Sequence, residues 1–267
     1  MIPNHILILG APHSGKLRIS KTLCDDVYDQ IVDDDKIQSS HSGIIIKSKV
    51  STKYYSVNLN ILVDEYPEIR NEQEEEYSVE HKLRSLKKWK DEFLSDECSE
   101  LRDVLDGFIY CISLDDNTIN DISDSIEIIN EIRNGIVGDR DWNGFIAIVG
   151  TSTKDKNDLN EDVEDLVILN GYEYIDFDKS GRNEYHETVG KDRIVEIVQS
   201  NEWTHMETKE NVNYDNNKKK KMYEMTRGLL SSEGEEREEE EEVNSKLDLD
   251  EIFAKLKLAK DEKRKSM

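Results

Sequence analysis

A glycine-containing loop decides the fold of this chain, and it reads Gly10-Ala11-Pro12-His13-Ser14-Gly15-Lys16-Leu17. It follows the apolar run Ile6-Leu7-Ile8-Leu9 and opens a helical pattern, which is the strand–loop–helix context of a P-loop. A P-loop needs Ser or Thr after its lysine, because that hydroxyl ligates Mg²⁺ beside the phosphates. Leu17 stands there instead and cannot ligate a metal. The stretch therefore predicts a nucleotide-binding architecture that lacks one chemical part.

The apolar pattern on either side of this loop predicts an α/β fold with a doubly wound, mostly parallel sheet. Continuous apolar runs alternate with helical periodicity, as expected for parallel strands covered on both faces. One antiparallel hairpin follows the first helix, which is the element order of small GTPases. The predicted strands are residues 5–9, 43–49, 54–63, 107–114, 144–150 and 172–177. The predicted helices are residues 15–31, 70–105, the segment that carries Ile119 to Ile129, 159–169 and 190–203, and the helix of residues 70–105 is predicted to break near Ser95.

Two further motifs of a GTPase are also altered. Asp64-Glu65-Tyr66-Pro67 occupies the place of Asp-x-x-Gly, and proline has no N–H to give to a γ-phosphate. Thr151-Ser152-Thr153-Lys154 occupies the place of the guanine-reading Asn-Lys-x-Asp. One extra residue would bring Asp155 into the carboxylate position, but the asparagine and lysine are absent either way.

These losses leave two interpretations of Gly10, Gly15 and Lys16. In one, Lys16 and the first helix N-terminus still hold a phosphate, and GTP or GDP is a ligand. In the other, which we favour, the loop is a degenerate P-loop: the glycines shape a tight turn, Lys16 is solvated and there is no cofactor. We predict neither catalytic residues nor a metal site, since the six histidines lack ligand spacing.

Composition limits the classes of partner and compartment. The chain has 267 residues and a net charge of −24, which argues against direct nucleic-acid binding. No apolar stretch approaches the roughly 20 residues that span a bilayer. Three cysteines without paired spacing favour a reducing compartment. We expect a soluble, cytoplasmic, acidic protein.

The pattern also divides the chain into three parts. Residues 1–206 form the predicted domain, and residues 207–246 have the composition of a disordered charged linker, with an acidic run from Glu233 to Glu242. Residues 247–267 form a predicted C-terminal amphipathic helix. Its apolar face is the candidate partner-binding site and consists of Leu249, Ile252, Phe253 and Leu256, followed by Ala259.

Two segments resemble a known family. Residues 190–203, Gly-Lys-Asp-Arg-Ile-Val-Glu-Ile-Val-Gln-Ser-Asn-Glu-Trp, are similar to the last domain helix of the alpha- and gamma-adaptin-binding protein family. Residues 249–260, Leu-Asp-Glu-Ile-Phe-Ala-Lys-Leu-Lys-Leu-Ala-Lys, resemble that family's C-terminal Phe-x-Lys-Leu-Lys segment. The opening strand and eroded loop also look like the fungal branch, the increased recombination centers protein 6 family.

The resemblance implies a Rab-like pseudo-GTPase domain and a chaperone-like role in clathrin-adaptor assembly or vesicle-mediated transport. It further implies adaptor large subunits as partners, and location at trans-Golgi or endosomal vesicles. Fungal members also carry an association with chromosomal rearrangement and telomere healing, to which this acidic sequence gives no direct physical support.

The favoured hypothesis is thus a non-enzymatic binding module, whose C-terminal helix docks in a partner's groove or on a second copy. That helix has two other interpretations: it packs back on its own domain, or it associates with a membrane through Lys255, Lys257, Lys260, Lys263 and Arg264. Two rival functions remain open: a divergent GTP-binding protein, and a scaffold that binds an active Rab without nucleotide of its own.

Overall fold

A computed structural model shows how the sequence folds, and it describes residues 4–24, 40–67, 79–138, 142–153 and 157–209. The elements, numbered in chain order, are β1 (His5–Gly10), α1 (Lys16–Thr22), β2 (Ile44–Ser51), β3 (Tyr55–Glu65), α2 (Val79–Leu94), a 3₁₀ turn (Asp96–Cys98), α3 (Ser99–Asp103), β4 (Leu105–Ser113), α4 (Ile119–Val137), β5 (Phe145–Thr151), α5 (Asn157–Leu169), β6 (Glu173–Asp176), α6 (Lys191–Ser200) and β7 (Glu207–Thr208).

These strands form a single sheet in the spatial order β2-β3-β1-β4-β5-β6. β1, β3, β4, β5 and β6 run parallel, and β2 pairs with β3 as an antiparallel hairpin. The predicted small-GTPase-like α/β fold is therefore confirmed, including the hairpin after the first helix and the helix break at Ser95.

Strand alternation divides the buried side chains between two layers. In β1, Ile6 and Ile8 pack toward α1 and α6, while Leu7 and Leu9 pack toward α2, α4 and α5. Trp203 closes the first layer: it is buried and its indole N–H donates to the Val198 carbonyl at 3.0 Å. Both faces of the central strands are thus covered, which explains their unbroken apolar sequence.

Helix α4 begins where a local sequence pattern, Thr118 followed three residues later by Asp121, caps its first turn. The Thr118 hydroxyl accepts from the Asp121 N–H, and the Asp121 carboxylate accepts from the Thr118 N–H at 2.9 Å. This capping box satisfies two N–H groups that a helix start would otherwise leave unpaired. Isoleucines at helical spacing then bury one face against β4 and β5.

The predicted start of the linker differs from the structure. β7 adds antiparallel to β3, with Ser56 opposite Glu207 and Tyr55 opposite Thr208, and the Lys209 N–H donates to the Tyr54 carbonyl at 2.7 Å. The folded part therefore continues past residue 206 at least to Lys209, held by main-chain bonds that need no apolar pattern. Residues 210–267 and the end predicted for the first helix, residues 25–31, lie outside the described ranges.

Candidate functional site

The degenerate P-loop closes on itself as a tight turn. The Ser14 N–H donates to the Ala11 carbonyl at 3.2 Å, and His13 and Gly15 both have positive φ, at 61° and 81°. Gly15 is required here for space as well, because a Cβ would lie 2.7 Å from Thr151 Cγ2. The glycine loop is therefore a tight turn in which Gly15 has a conformation and a space that suit glycine.

Lys16 is buried, which corrects the expectation that it is solvated. Only 2% of the residue is exposed. Its ammonium donates to the Ala11 carbonyl at 2.6 Å and to the Glu65 carboxylate at 2.9 Å. Burial is tolerated because both partners compensate the lost hydration of the charge. The lysine that would neutralise a phosphate is thus engaged by the protein's own oxygens.

Glu65 is a buried charged residue of this site that the sequence pattern did not reveal. Besides Lys16 it contacts His41, whose Nδ1 lies 3.4 Å from Oε2, and Ser40, whose hydroxyl lies 3.3 Å from Oε1. Burial raises the pKa of the Glu65 carboxyl, but the hydrogen bonds and charges of His41 and Lys16 outweigh it, so the pKa lies below its ordinary value. The carboxylate is therefore the stable form, an internal anion beside the glycine loop.

The neighbouring Asp64 ties two further segments to the end of β3. It accepts from the Ser42 hydroxyl at 2.6 Å and from the Trp89 indole N–H of α2 at 2.7 Å. In a GTPase this position serves the nucleotide site, whereas here both of its oxygens hold side chains. The segment before β2 and the helix α2 are thereby fixed to the same strand end.

Tyr66 and Pro67 complete the altered second motif. The Tyr66 ring is buried and stacks on Tyr110 with centroids 6.4 Å apart, and the two hydroxyls share a hydrogen bond. Burial raises the pKa of Tyr66 well above its ordinary value, so this pair stays neutral. Pro67, which has no N–H, stands where the motif expects glycine.

The third motif lies where a base-reading loop would stand. The Thr151 hydroxyl donates to the Ser14 carbonyl at 3.2 Å, which joins this loop to the glycine loop. Ser152 and Thr153 both bind the Asp115 carboxylate, with the Thr153 N–H at 2.8 Å. These groups therefore bind one another directly. Asp155, the alternative carboxylate, lies outside the described residues.

A salt bridge closes the same end of the sheet. Arg18 of α1 contacts the Asp178 carboxylate at 2.5 Å and lies 4.8 Å from the centroid of the Phe177 ring. Asp178 also accepts from the Ser152 N–H at 3.0 Å. The three loops that would surround a nucleotide are thus linked by direct contacts between their own residues.

The structure brings together Gly10, Gly15 and Lys16, whereas the other predicted site stays a prediction. Leu249, Ile252, Phe253 and Leu256 lie outside the described residues. The described ranges contain no group of three His, Cys, Asp or Glu side chains arranged to hold a metal. Nor does any helix in those ranges have the length and apolarity to cross a membrane.

One signal in the sequence could have identified Glu65. In adjacent parallel strands the residues at corresponding ends are neighbours, and the register pairs Gly10 with Glu65. A carboxylate at the end of β3 therefore falls beside the loop that ends β1, within reach of Lys16. What the pattern could not give was the direction in which the lysine side chain folds.

Comparison with known proteins supports the fold of the described domain. It also supports the family resemblance of the last part of the chain. Residues 187–266 match the family model of the alpha and gamma adaptin binding protein p34. The crystal structure of yeast Irc6p, described as a novel type of conserved clathrin accessory protein, is similar in fold with a TM-score of 0.51. The two chains are 20% identical, over 79% of this chain and 98% of Irc6p.

Full-length relatives extend the similarity over nearly the whole chain. Increased recombination centers protein 6 of Candida tropicalis is 45% identical, covering 98% of this chain and 91% of its own length. The protein of the same name from Candida albicans SC5314 is 43% identical with the same coverage of both chains. The chain therefore belongs to the alpha- and gamma-adaptin-binding protein family, in the fungal branch whose members are named increased recombination centers protein 6.

Proposed function

We propose that this chain is a non-enzymatic accessory protein of clathrin adaptors that binds adaptor large subunits and assists their assembly in vesicle-mediated transport. Its GTPase-like domain serves as a rigid pseudo-GTPase scaffold. The observation that carries this proposal is the buried ion pair between Lys16 and Glu65, whose atoms lie 2.9 Å apart. The lysine that a P-loop directs to phosphate is paired here with a carboxylate of the protein itself.

The other altered positions support the same conclusion. Leu17 offers no metal ligand, Pro67 offers no N–H, and Ser152 and Thr153 direct donors to Asp115. Phosphoryl transfer relies on positioned charge and metal rather than on covalent chemistry. The residues at these positions do not supply those elements, which favours a binding role for the retained fold over catalysis.

The partner is proposed from the family. The matched family model is named for adaptin binding, and the similar yeast structure is described as a clathrin accessory protein. The matched range 187–266 includes α6 and the predicted C-terminal helix. We therefore assign adaptor contact to that end of the chain, with Leu249, Ile252, Phe253 and Leu256 as the anchoring side chains. Action on trans-Golgi or endosomal vesicles follows from the adaptor role.

The relatives' name refers to recombination, and we treat any effect on chromosomes as indirect. The net charge of −24 opposes the counterion release that drives binding to nucleic acid. A filter-binding assay with duplex DNA at low salt is therefore expected to show no saturable retention, whereas binding that a salt titration weakens would contradict this part of the proposal.

The first test measures nucleotide binding. Calorimetric titration of the full chain with GTP and with GDP, in the presence of Mg²⁺, is expected to give no saturable heat at high micromolar protein. Saturable binding that Lys16→Ala removes would overturn the pseudo-GTPase assignment and favour a divergent GTP-binding protein. Lys87→Ala, a change on α2 away from the loop, is the matched control.

The second test measures the partner directly. Full-length chain and a purified adaptor large subunit are expected to form a complex that elutes together in size-exclusion chromatography. A parallel pull-down with GTP-loaded and GDP-loaded Rab separates the remaining alternative. Retention by GTP-loaded Rab without any adaptor complex would replace the adaptor assignment with a Rab-effector role.

A further inference from the structure

The outer edge of β2 is the end of the sheet in the part of the chain that the structure describes. β2 is the first strand in the spatial order of the sheet, and within the described ranges no strand pairs with its outer side. An unpaired edge presents a row of free N–H and C=O groups that can pair with another extended segment. The edge extends over the eight residues Ile44–Ser51.

The register shows which residues present those groups. The Thr52 N–H donates to the Tyr55 carbonyl at 2.9 Å, so this pair is a hydrogen-bonded one. Because hydrogen-bonded and non-bonded pairs alternate in an antiparallel ladder, Ile46, Ser48 and Val50 also bond to β3. The backbone groups of the residues between them, Ile45, Lys47 and Lys49, therefore point to the open edge.

The side chains of the same three residues are exposed on one face. Ile45 is 58% exposed, and Lys47 and Lys49 are exposed as well. Neither lysine forms an ion pair with any residue of the described ranges. Lys53 and Lys209 lie at the adjoining turn, where the Lys209 ammonium donates to the Ser51 hydroxyl at 2.6 Å. The edge is thus a basic stripe on a chain whose net charge is −24.

A cavity continues this stripe along the exposed face of the hairpin. Its volume is about 570 Å³, and it lies between Lys49 of β2, Asn58 of β3 and the segment that leads into β7. Met206, 46% exposed, stands at its wall. The residues that line the cavity are mostly polar and include Glu207, so Lys49 at its rim is the feature that it shares with the basic stripe.

From these observations we propose that the open edge of β2 binds an extended acidic segment of a partner protein as an additional strand. Main-chain bonds to Ile45, Lys47 and Lys49 supply the pairing, and the lysines select carboxylates on the incoming strand. Because the side chains of a strand alternate between its two faces, every second side chain of that segment lies on the face of Lys47 and Lys49. A second copy of β2 would place lysines opposite lysines, and like charges across a strand pair oppose that pairing.

This surface consists of residues other than those of the predicted C-terminal helix, so the proposal does not depend on the adaptor assignment. The probe is a fluorescein-labelled, blocked ten-residue peptide of alternating glutamate and valine, measured by fluorescence anisotropy with the full chain. A lysine–valine peptide of the same length is the charge-reversed control. We expect saturable binding of the acidic peptide only.

Three variants test the mode of binding. Lys47→Glu with Lys49→Glu is expected to weaken binding by about tenfold or more, since two attractive pairs become repulsive. Lys47→Pro removes an N–H that faces the open edge, leaves the ladder to β3 intact and is expected to weaken binding similarly. Lys87→Glu with Lys88→Glu on α2 carries the same charge change and is expected to leave the affinity within about twofold.

Amide hydrogen exchange locates the peptide. Bound peptide is expected to slow exchange at Ile45, Lys47 and Lys49, whereas the amides of Ile46 and Ser48 are already protected by β3. Absence of saturable binding would overturn the proposal. So would equal weakening by the α2 variant, or protection confined to another part of the domain.

Discussion

The ammonium of Lys16 lies 2.9 Å from a carboxylate oxygen of Glu65, and each side chain is only 1% exposed. Two adjacent parallel strands bring the residues together, since β1 ends at Gly10 directly beside Glu65. A buried pair of this kind is held by mutual compensation: neither charge would be stable there alone. The pair thus makes the glycine loop and the end of β3 depend on each other.

Removing one member of this pair is expected to destabilise the domain strongly. Lys16→Met leaves the Glu65 carboxylate buried beside His41 and the Ser40 hydroxyl but without its lysine partner, and we expect a loss of about 3–5 kcal/mol in the free energy of unfolding. The double variant Lys16→Met with Glu65→Leu replaces the pair by apolar groups of similar size and is expected to recover most of that loss.

Urea unfolding, monitored by circular dichroism, gives the free energies of unfolding of the wild type, of Lys16→Met and of the double variant. The exposed Lys87→Met on α2 controls for loss of a lysine and is expected to change stability by less than about 0.5 kcal/mol. A Lys16→Met protein as stable as the wild type would show that the two charges do not compensate each other.

The same pair predicts how acid affects the domain. The pKa of Glu65 lies below its ordinary value of 4.5, so folding favours its charged form. Its contribution to stability is therefore complete above pH 4.5 and is lost as the pH falls through the lower pKa of the folded state. Between pH 5 and pH 3, urea midpoints of the wild type are expected to fall more steeply than those of the Lys16→Met, Glu65→Leu double variant. Parallel slopes would show that Glu65 does not contribute to the acid sensitivity.

Periodic patterns made most of the fold predictable. β1 is a continuous apolar run because both faces are covered, and the isoleucines of α4 repeat at helical spacing behind a Thr118–Asp121 capping box. Such signals are local: they depend on residues two to four positions apart. The order of these elements was enough to indicate the small-GTPase-like sheet.

The state of the candidate site was not predictable in the same way. Lys16 pairs with Glu65 across 49 positions of sequence, and nothing local distinguishes a lysine that binds phosphate from one that binds a carboxylate. β7 was missed for a related reason, because two exposed residues, Glu207 and Thr208, join the sheet through main-chain bonds alone. Tertiary contacts of this kind leave no periodic pattern.

Gly15 offers a test of how tightly the glycine loop is packed. Gly15→Ala is expected to cost about 1–2 kcal/mol, because φ of 81° is unfavourable for a residue with a Cβ and because that Cβ would lie 2.7 Å from Thr151 Cγ2. Thr151→Ser removes this methyl group while keeping the hydroxyl that binds the Ser14 carbonyl.

Adding Thr151→Ser to Gly15→Ala is therefore expected to restore part of the lost stability, leaving the backbone cost. Gly181→Ala serves as the comparison, since Gly181 also has positive φ but a Cβ added there would meet no heavy atom within 4 Å. Equal losses for Gly15→Ala and Gly181→Ala would show that contact with Thr151 contributes nothing.

The last prediction concerns the predicted helix of residues 247–267. Phe253→Asp with Leu256→Asp places two charges on its apolar face, and burying each of these side chains would otherwise contribute about 1.5–3 kcal/mol before ordering costs. We expect this full-length variant to lose the adaptor complex, or the dimer if the helix mediates self-association, while the circular dichroism of the domain stays unchanged. Size-exclusion chromatography with light scattering measures both assemblies.

The control variant, Ala254→Asp with Leu258→Asp, makes the same change in charge on the opposite helical face and is expected to keep the adaptor complex or the dimer. If Phe253→Asp with Leu256→Asp leaves the affinity for the adaptor and the mass in solution unchanged, the helix has the alternative role of packing on its own domain. If both double variants lose the assembly equally, the added charge is responsible rather than this face of the helix.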